Sequence, residues 1–260
     1  CSLLVNTTGY DNVGIGRRAL DANISGLANV AIGSSALSAN TTASSNVAVG
    51  TCAMIVNTTG TCNTAIGTVA LAANTTANHN TAIGHEALNK NTTGCFNQAV
   101  GSFALGCNTE GCQNTAMGMS ALITNTTGDN NVAIGRLALT ANQTADNNTA
   151  VGMSALKANT TGTQNVAVGA TSLDANTTGC MNTAVGRSAL GANITGLCNT
   201  AVGRTAMELN TTGCYNVAVG KDSLANNTTA NYNVAVGRNA LFKNTTGELN
   251  TSIGDSAGKC

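Results

Sequence analysis

The sequence predicts an all-β fold, a parallel β-solenoid of about fifteen 17-residue coils forming one domain over residues 1–260. Three observations predict it. A five-residue stretch, Asn29-Val30-Ala31-Ile32-Gly33, returns fifteen times at a spacing of 17 residues without insertion or deletion, its Asn falling at every seventeenth position from Asn12 to Asn250. The 30 glycines stand in register with this period, which marks turns at fixed places and not a flexible linker. Proline and tryptophan are absent and aromatic residues make up 2%, so the interior has to be thin.

The first element of each repeat reads as a strand over Asn29 to Gly33. Its residues alternate, with Val30 and Ile32 on one face and Asn29, Ala31 and Gly33 on the other. The Ile32 column is always aliphatic or Met (Ile15, Val49, Ile66, Ile83, Val100, Met117), which marks it as core. The Ala31 column is Ala except at Gly14 and Ser252, so something packs closely against that face as well. A strand constrained on both faces is a middle layer, between its own coil and either the opposite wall or another chain.

An Ala-Leu pair follows the Gly by two residues, as in Ala36-Leu37, Ala70-Leu71 and Ala138-Leu139. It reads as a second, shorter strand, because the segment between Gly and Asn-Thr-Thr is too short for a stable helix. The coil then turns through Asn40-Thr41-Thr42, or Asn57-Thr58-Thr59-Gly60 in other repeats. Stacked about 4.8 Å apart, fifteen coils would make a rod about 70 Å long in which identical residues form ladders.

Charge excludes some partners. The chain has 11 basic and 11 acidic residues, only 8% of the total, so no net field draws it to nucleic acid or an anionic membrane. No apolar run approaches the roughly 20 residues of a membrane span. So little charge gives little colloidal repulsion, and self-association is expected. Ten cysteines with few other metal ligands point to an oxidising setting, extracellular or at a cell or virion surface.

The repeat running from Asn63 to Gly67, through Ala70-Leu71, to Asn74-Thr75-Thr76 resembles the repeats of bacterial and phage tail-fibre-like proteins. It is similar, more loosely, to the head repeats of trimeric autotransporter adhesins. The resemblance covers the whole chain and implies a left-handed parallel β-roll, commonly a homotrimer, with the Asn-x-Ala-Ile-Gly strand inside. It implies a role as an attachment surface or rigid spacer. The ten cysteines are not part of that pattern.

The most frequent motif is Asn-x-Thr/Ser, led by Asn6, Asn23, Asn40, Asn57, Asn74, Asn91, Asn125, Asn142, Asn159, Asn176, Asn193, Asn210, Asn227 and Asn244. Each is a formal N-glycosylation acceptor. The structural reading is an Asn ladder in the turn, and a spacing of about 4.8 Å would crowd neighbouring glycans. Thr rows raise ice binding, but Thr41 and Thr42 are adjacent and the flat Thr-x-Thr pattern is missing.

Arg187, Arg204, Lys221 and Arg238 form a row in consecutive coils, either a site for an anionic glycan or phosphate or a solvated edge. His79 and His85, the only histidines, have no recurring Ser, Asp or Cys partner, which argues against catalysis; no cofactor is implied.

Cys95, Cys112, Cys180 and Cys214 share one column and Cys198 the next; no Cys-x-x-Cys pair suggests zinc. Cys95 and Cys112, one period apart, bring their Cα atoms within the disulfide range of about 4.4 to 6.8 Å, and Cys198 could reach Cys180 or Cys214. Both ends keep the interior pattern, so an end-to-end filament is expected, with Cys1 and Cys260 able to lock successive subunits.

Overall fold

The computed structural model describes residues 2–259. The chain divides into two compact units, Cys1–Asn130 and Asn131–Cys260. The first carries β1 (Val13–Ile15), β2 (Val30–Ile32), β3 (Val47–Val49), β4 (Thr64–Ile66), β5 (Thr81–Ile83), β6 (Gln98–Val100) and β7 (Thr115–Met117). The second carries β8 (Val132–Ile134), β9 (Thr149–Val151), β10 (Val166–Val168), β11 (Thr183–Val185), β12 (Thr200–Val202), β13 (Val217–Val219), β14 (Val234–Val236) and β15 (Thr251–Ile253). Within each unit, consecutive strands pair parallel and in register, so that Ala31 lies opposite Ala48 and Ala167 opposite Ala184. This is a parallel β-solenoid, and no helix occurs among the described residues.

Only three residues of each coil are strand, two fewer than the repeat suggests, yet hydrogen bonding between coils continues around the turn. The Ser35 amide donates to the Arg17 carbonyl at 2.8 Å, Leu37 to Ala53 at 3.0 Å and Ser45 to Leu27 at 3.0 Å. The backbone groups that a loop would leave to water are thus satisfied by the neighbouring coil.

The expected second strand is a turn. Ser35 and Leu37 flank Ala36 with φ of 57° and 50°, and the same pair of left-handed residues recurs in other coils, as at Val69 and Leu71. Two such residues reverse the chain over three positions, which extended backbone cannot do. Holding Leu there costs about 1–2 kcal/mol. Full burial of the side chain contributes about 1.5–3 kcal/mol, so packing outweighs the strain. The corner before it needs glycine: Gly33 has φ 134°, and a Cβ there would lie 2.5 Å from the Gly50 carbonyl oxygen.

The faces of the strand are the reverse of the expected ones. Ala31, Ala48 and Ala65 are fully buried, whereas Ile32, Ile66 and Ile83 are 37–40% exposed. The reason is the width of the coil. At Gly14, which stands in the Ala column, an added Cβ would already lie 3.2 Å from Leu3 Cγ and 3.4 Å from the Ala19 carbonyl oxygen. The larger side chain is therefore the one turned out. The Leu column is core as its pattern implies: Leu20, Leu37, Leu71, Leu139 and the substitute Met54 and Met207 are fully buried.

Two Asn ladders complete the interior. In the turn ladder, Asn74 Nδ2 donates to Asn57 Oδ1 at 2.8 Å in the coil before and to the Ala77 carbonyl at 3.1 Å. In the strand ladder, the Asn63 backbone amide donates to Asn46 Oδ1 at 3.0 Å, and Asn63 Nδ2 to the Ala77 carbonyl at 2.8 Å. The turn Asn thus bonds along the stack and closes its own turn, while the strand Asn bonds across its coil and joins that coil to its neighbours. Among the described residues, no buried side-chain nitrogen or oxygen lacks a partner, which is the condition for burying polar groups without large cost.

Candidate functional site

The outward strand face is the most uniform surface of the molecule. One of its columns, from Ile15 to Ile253, holds only Ile, Val or Met; the other, from Val13 to Thr251, holds Val, Thr and one Gln98. None of the chain's 11 basic and 11 acidic residues stands in either column. The Ala between them points inward, so the two rows project outward from each unit, with Met117, Ile134, Val185 and Val219 more than a third exposed.

The cysteine column lies two residues before the strand Asn. Its side chains accept a backbone amide from the coil before: Cys95 N–H donates to Cys112 Sγ at 3.1 Å, Thr163 to Cys180 Sγ at 3.4 Å and Leu197 to Cys214 Sγ at 3.4 Å. Elsewhere in this column Ser44 and Asn78 do the same for Leu27 and Thr61. Cysteine here is an acceptor, a role that its spacing alone did not reveal.

Cys95, Cys112, Cys180, Cys198 and Cys214 are all free thiols, so the expected staples are absent. In-register stacking repeats every atom at about 4.8 Å, which satisfies the Cα range but exceeds the Cβ separation of about 3.5–4.5 Å that a disulfide needs. Cys1 and Cys260 lie outside the described residues.

The formal glycosylation sites divide sharply. Asn23, Asn40, Asn57, Asn74, Asn91, Asn125, Asn142, Asn159, Asn176, Asn193, Asn210 and Asn227 are fully buried. Their Nδ2 atoms point into the turn, as Asn40 Nδ2 does toward the Ala43 carbonyl at 3.0 Å. A glycan on any of them would remove a buried hydrogen bond and expel the side chain. Only Asn6 and Asn244 are half-buried.

Of the basic row, all four side chains are exposed. Lys221 pairs with Asp222 at 3.3 Å and Arg238 with Asp255 at 2.8 Å. The Arg238 hydrogen bond holds the Asp255 carboxyl below the ordinary carboxylate range. Arg187 and Arg204 make no direct ion pair among the described residues, although, against the desolvation of Asp222, the Arg204 charge helps hold that carboxyl below its ordinary value. The row thus reduces to two guanidinium groups one coil apart without a direct carboxylate contact. His79 stacks on Phe96 with ring centroids 4.9 Å apart, and His85 meets Phe103 edge-on at 5.3 Å.

Fold and ladders together define a β-solenoid repeat protein. No protein-family model matches the chain, and no curated protein matches it in sequence. Among the described residues, no helix is long and apolar enough to cross a membrane.

Proposed function

We propose that the chain is a non-enzymatic structural repeat of an extracellular or virion-surface fibre, serving as a spacer or attachment surface, and that it associates laterally with further copies of itself through the outward strand face. The observation that carries this reading is the charge-free double row of Ile, Val and Thr beside a buried Ala column. Interfaces exclude charge from their centres. Ridges repeating at about 4.8 Å are matched best by another face of the same period, which is a second copy. The fibre setting rests on the resemblance of the repeat to tail-fibre-like β-rolls.

The test is sedimentation of the purified chain beside the double variant Ile66→Lys and Ile83→Lys. Both side chains are exposed, so the variant folds as the wild type does by circular dichroism. The wild type sediments as an oligomer and the variant as a monomer. A monomeric wild type, or an equally oligomeric variant, refutes lateral association.

A second reading is favoured by Arg187 and Arg204, both exposed and neither in a direct ion pair among the described residues. Two guanidinium groups one coil apart suit a sulfated or carboxylated glycan. Salt-sensitive retention on a sulfated-glycan column, lost in Arg187→Ala with Arg204→Ala, supports it.

A further inference from the structure

We propose that the paired thiols of Cys95 and Cys112 form a two-coordinate site for a soft monovalent cation of the Cu(I) or Ag(I) class. The two residues occupy the same column in successive coils of one unit. Their side chains also share one conformation: Cys95 Sγ lies 3.4 Å from the Thr93 carbonyl oxygen, and Cys112 Sγ 3.4 Å from the Glu110 carbonyl oxygen. Equivalent atoms in equivalent conformations repeat at the coil spacing, so the two sulfurs stand about 4.8 Å apart. Taking the zinc–thiolate length of about 2.3 Å as the scale of a metal–thiolate bond, a linear S–metal–S bridge spans about 4.6 Å. The spacing that is too long for a disulfide is therefore suited to a metal bridge.

The surroundings fit a cation. The Cys95 amide donates to Cys112 Sγ at 3.1 Å, which orients the sulfur and stabilises negative charge on it. Asp129, one coil beyond, receives the Cys112 amide at 2.6 Å, and exposed Glu110 lies two residues before Cys112. Both carboxylates favour a cation nearby. Among the described residues, no three His, Cys, Asp or Glu side chains converge on a common point, so a tetrahedral zinc centre is not built here. Two thiolates alone suit an ion that is soft and content with two ligands. On binding, each thiol releases its proton to solvent and each sulfur forms one bond to the metal. The complex carries one negative charge, and no electron is transferred.

The column contains its own controls. Cys180, flanked by Thr163 and Leu197, and Cys214, flanked by Leu197 and Asn231, have the same local geometry, with Sγ 3.3 Å from Thr178 O and 3.2 Å from Thr212 O. Neither has a thiol at the same column position of the next coil; Cys198, in the coil between them, stands one position over, and its amide donates to the Cys180 carbonyl at 3.1 Å. Serine fits this column without loss of the amide bond, as Ser44 shows by accepting the Leu27 amide at 3.1 Å.

The experiment titrates the reduced full-length chain with Cu(I), without oxygen, against the chromophoric chelator bathocuproine disulfonate. The wild type retains one Cu(I) at chelator concentrations that strip Cys95→Ser and Cys112→Ser, whose affinity falls by about 100-fold or more, since even an outer-shell partner is worth 10–100-fold. Cys180→Ser retains the ion. The double variant Cys112→Ser with Asp129→Cys keeps the number of thiols but places the pair two coils apart, about 9.6 Å, and loses the site. Thr163→Cys pairs with Cys180 and gains a second equivalent. The proposal fails if Cys95→Ser or the displaced pair holds Cu(I) as tightly as the wild type, or if Cys180→Ser loses it equally.

Discussion

Asn29 donates its side-chain amide across the width of the coil to the carbonyl of Ala43, at 2.8 Å. Its own side-chain oxygen receives the backbone amide of Asn46 at 3.0 Å. One residue thus ties the two walls of a coil together and joins that coil to the next, inside an interior too narrow for large apolar side chains.

The equivalent residue Asn63 shows what this is worth. Asn63→Ala removes the bond to the Ala77 carbonyl and leaves the Asn80 amide without its acceptor at 2.9 Å. Each buried group left unpaired costs about 1–3 kcal/mol, so the variant loses about 2–6 kcal/mol in urea unfolding. Thr59→Ala, at an exposed position of the adjoining turn, changes stability by less than about 0.5 kcal/mol. Equal losses at the two positions would contradict the ladder.

Leu139 and Leu137 are two residues apart and both left-handed, with φ 50° and 60°. Leu139 is fully buried, while Leu137 is only half-buried. Leu139→Asp places a carboxylate in the core and costs several kcal/mol, of the order of 3 or more. Leu137→Asp is tolerated, because Asp adopts left-handed backbone more readily than Leu. Thermal melts of the two variants separate these outcomes.

Ala82→Val and Ile83→Ala test the two faces of β5. Ala82 is fully buried and Ile83 is 37% exposed. Added methyl groups at Ala82 overfill the coil and cost about 1–3 kcal/mol. Ile83→Ala costs less in dilute solution, where no second chain covers it, and the reverse ranking in urea unfolding would restore Ile to the core.

These variants also mark what the sequence made legible. The period, the Leu column and the Asn ladder could be read directly, since identical residues at a fixed spacing must stack. The orientation of Ala82 and Ile83 could not, because placing the larger apolar residue inside is a sound rule only where the interior is wide enough. Here the apolar part of the interior is Ala and Leu, with Met54 and Met207 in place of Leu in two coils. The Ala-Leu turn was missed for a related reason: left-handed backbone at Leu37 is unfavourable locally and exists only because the buried side chain outweighs it. Cys95 and Cys112 were located correctly, but Cα spacing could not show that their Cβ atoms stay a full coil apart.

Asp174 gives a pH signature. Partial burial raises its carboxyl above the ordinary value, against the opposing pull of its own backbone amide and Lys157. A raised folded value means that the charged form is the less favoured one in the fold. Stability therefore declines as pH rises through the ordinary carboxylate range to the raised value. Asp174→Asn raises the melting midpoint at about pH 7 and leaves it unchanged at about pH 3, below the ordinary Asp value. A lower midpoint at neutral pH would contradict this.

The outward strand face is tested most directly by hydroxyl-radical footprinting of the concentrated and the diluted protein, read residue by residue by mass spectrometry. Ile66, Ile83 and Ile134 stand in the proposed contact row, whereas Ile24, Val56 and Leu209 are exposed in other columns. The account predicts that the first three are protected on concentration and recover on dilution, while the other three react equally in both. Unchanged labelling of Ile66, Ile83 and Ile134 in a concentrated, oligomeric sample would contradict it.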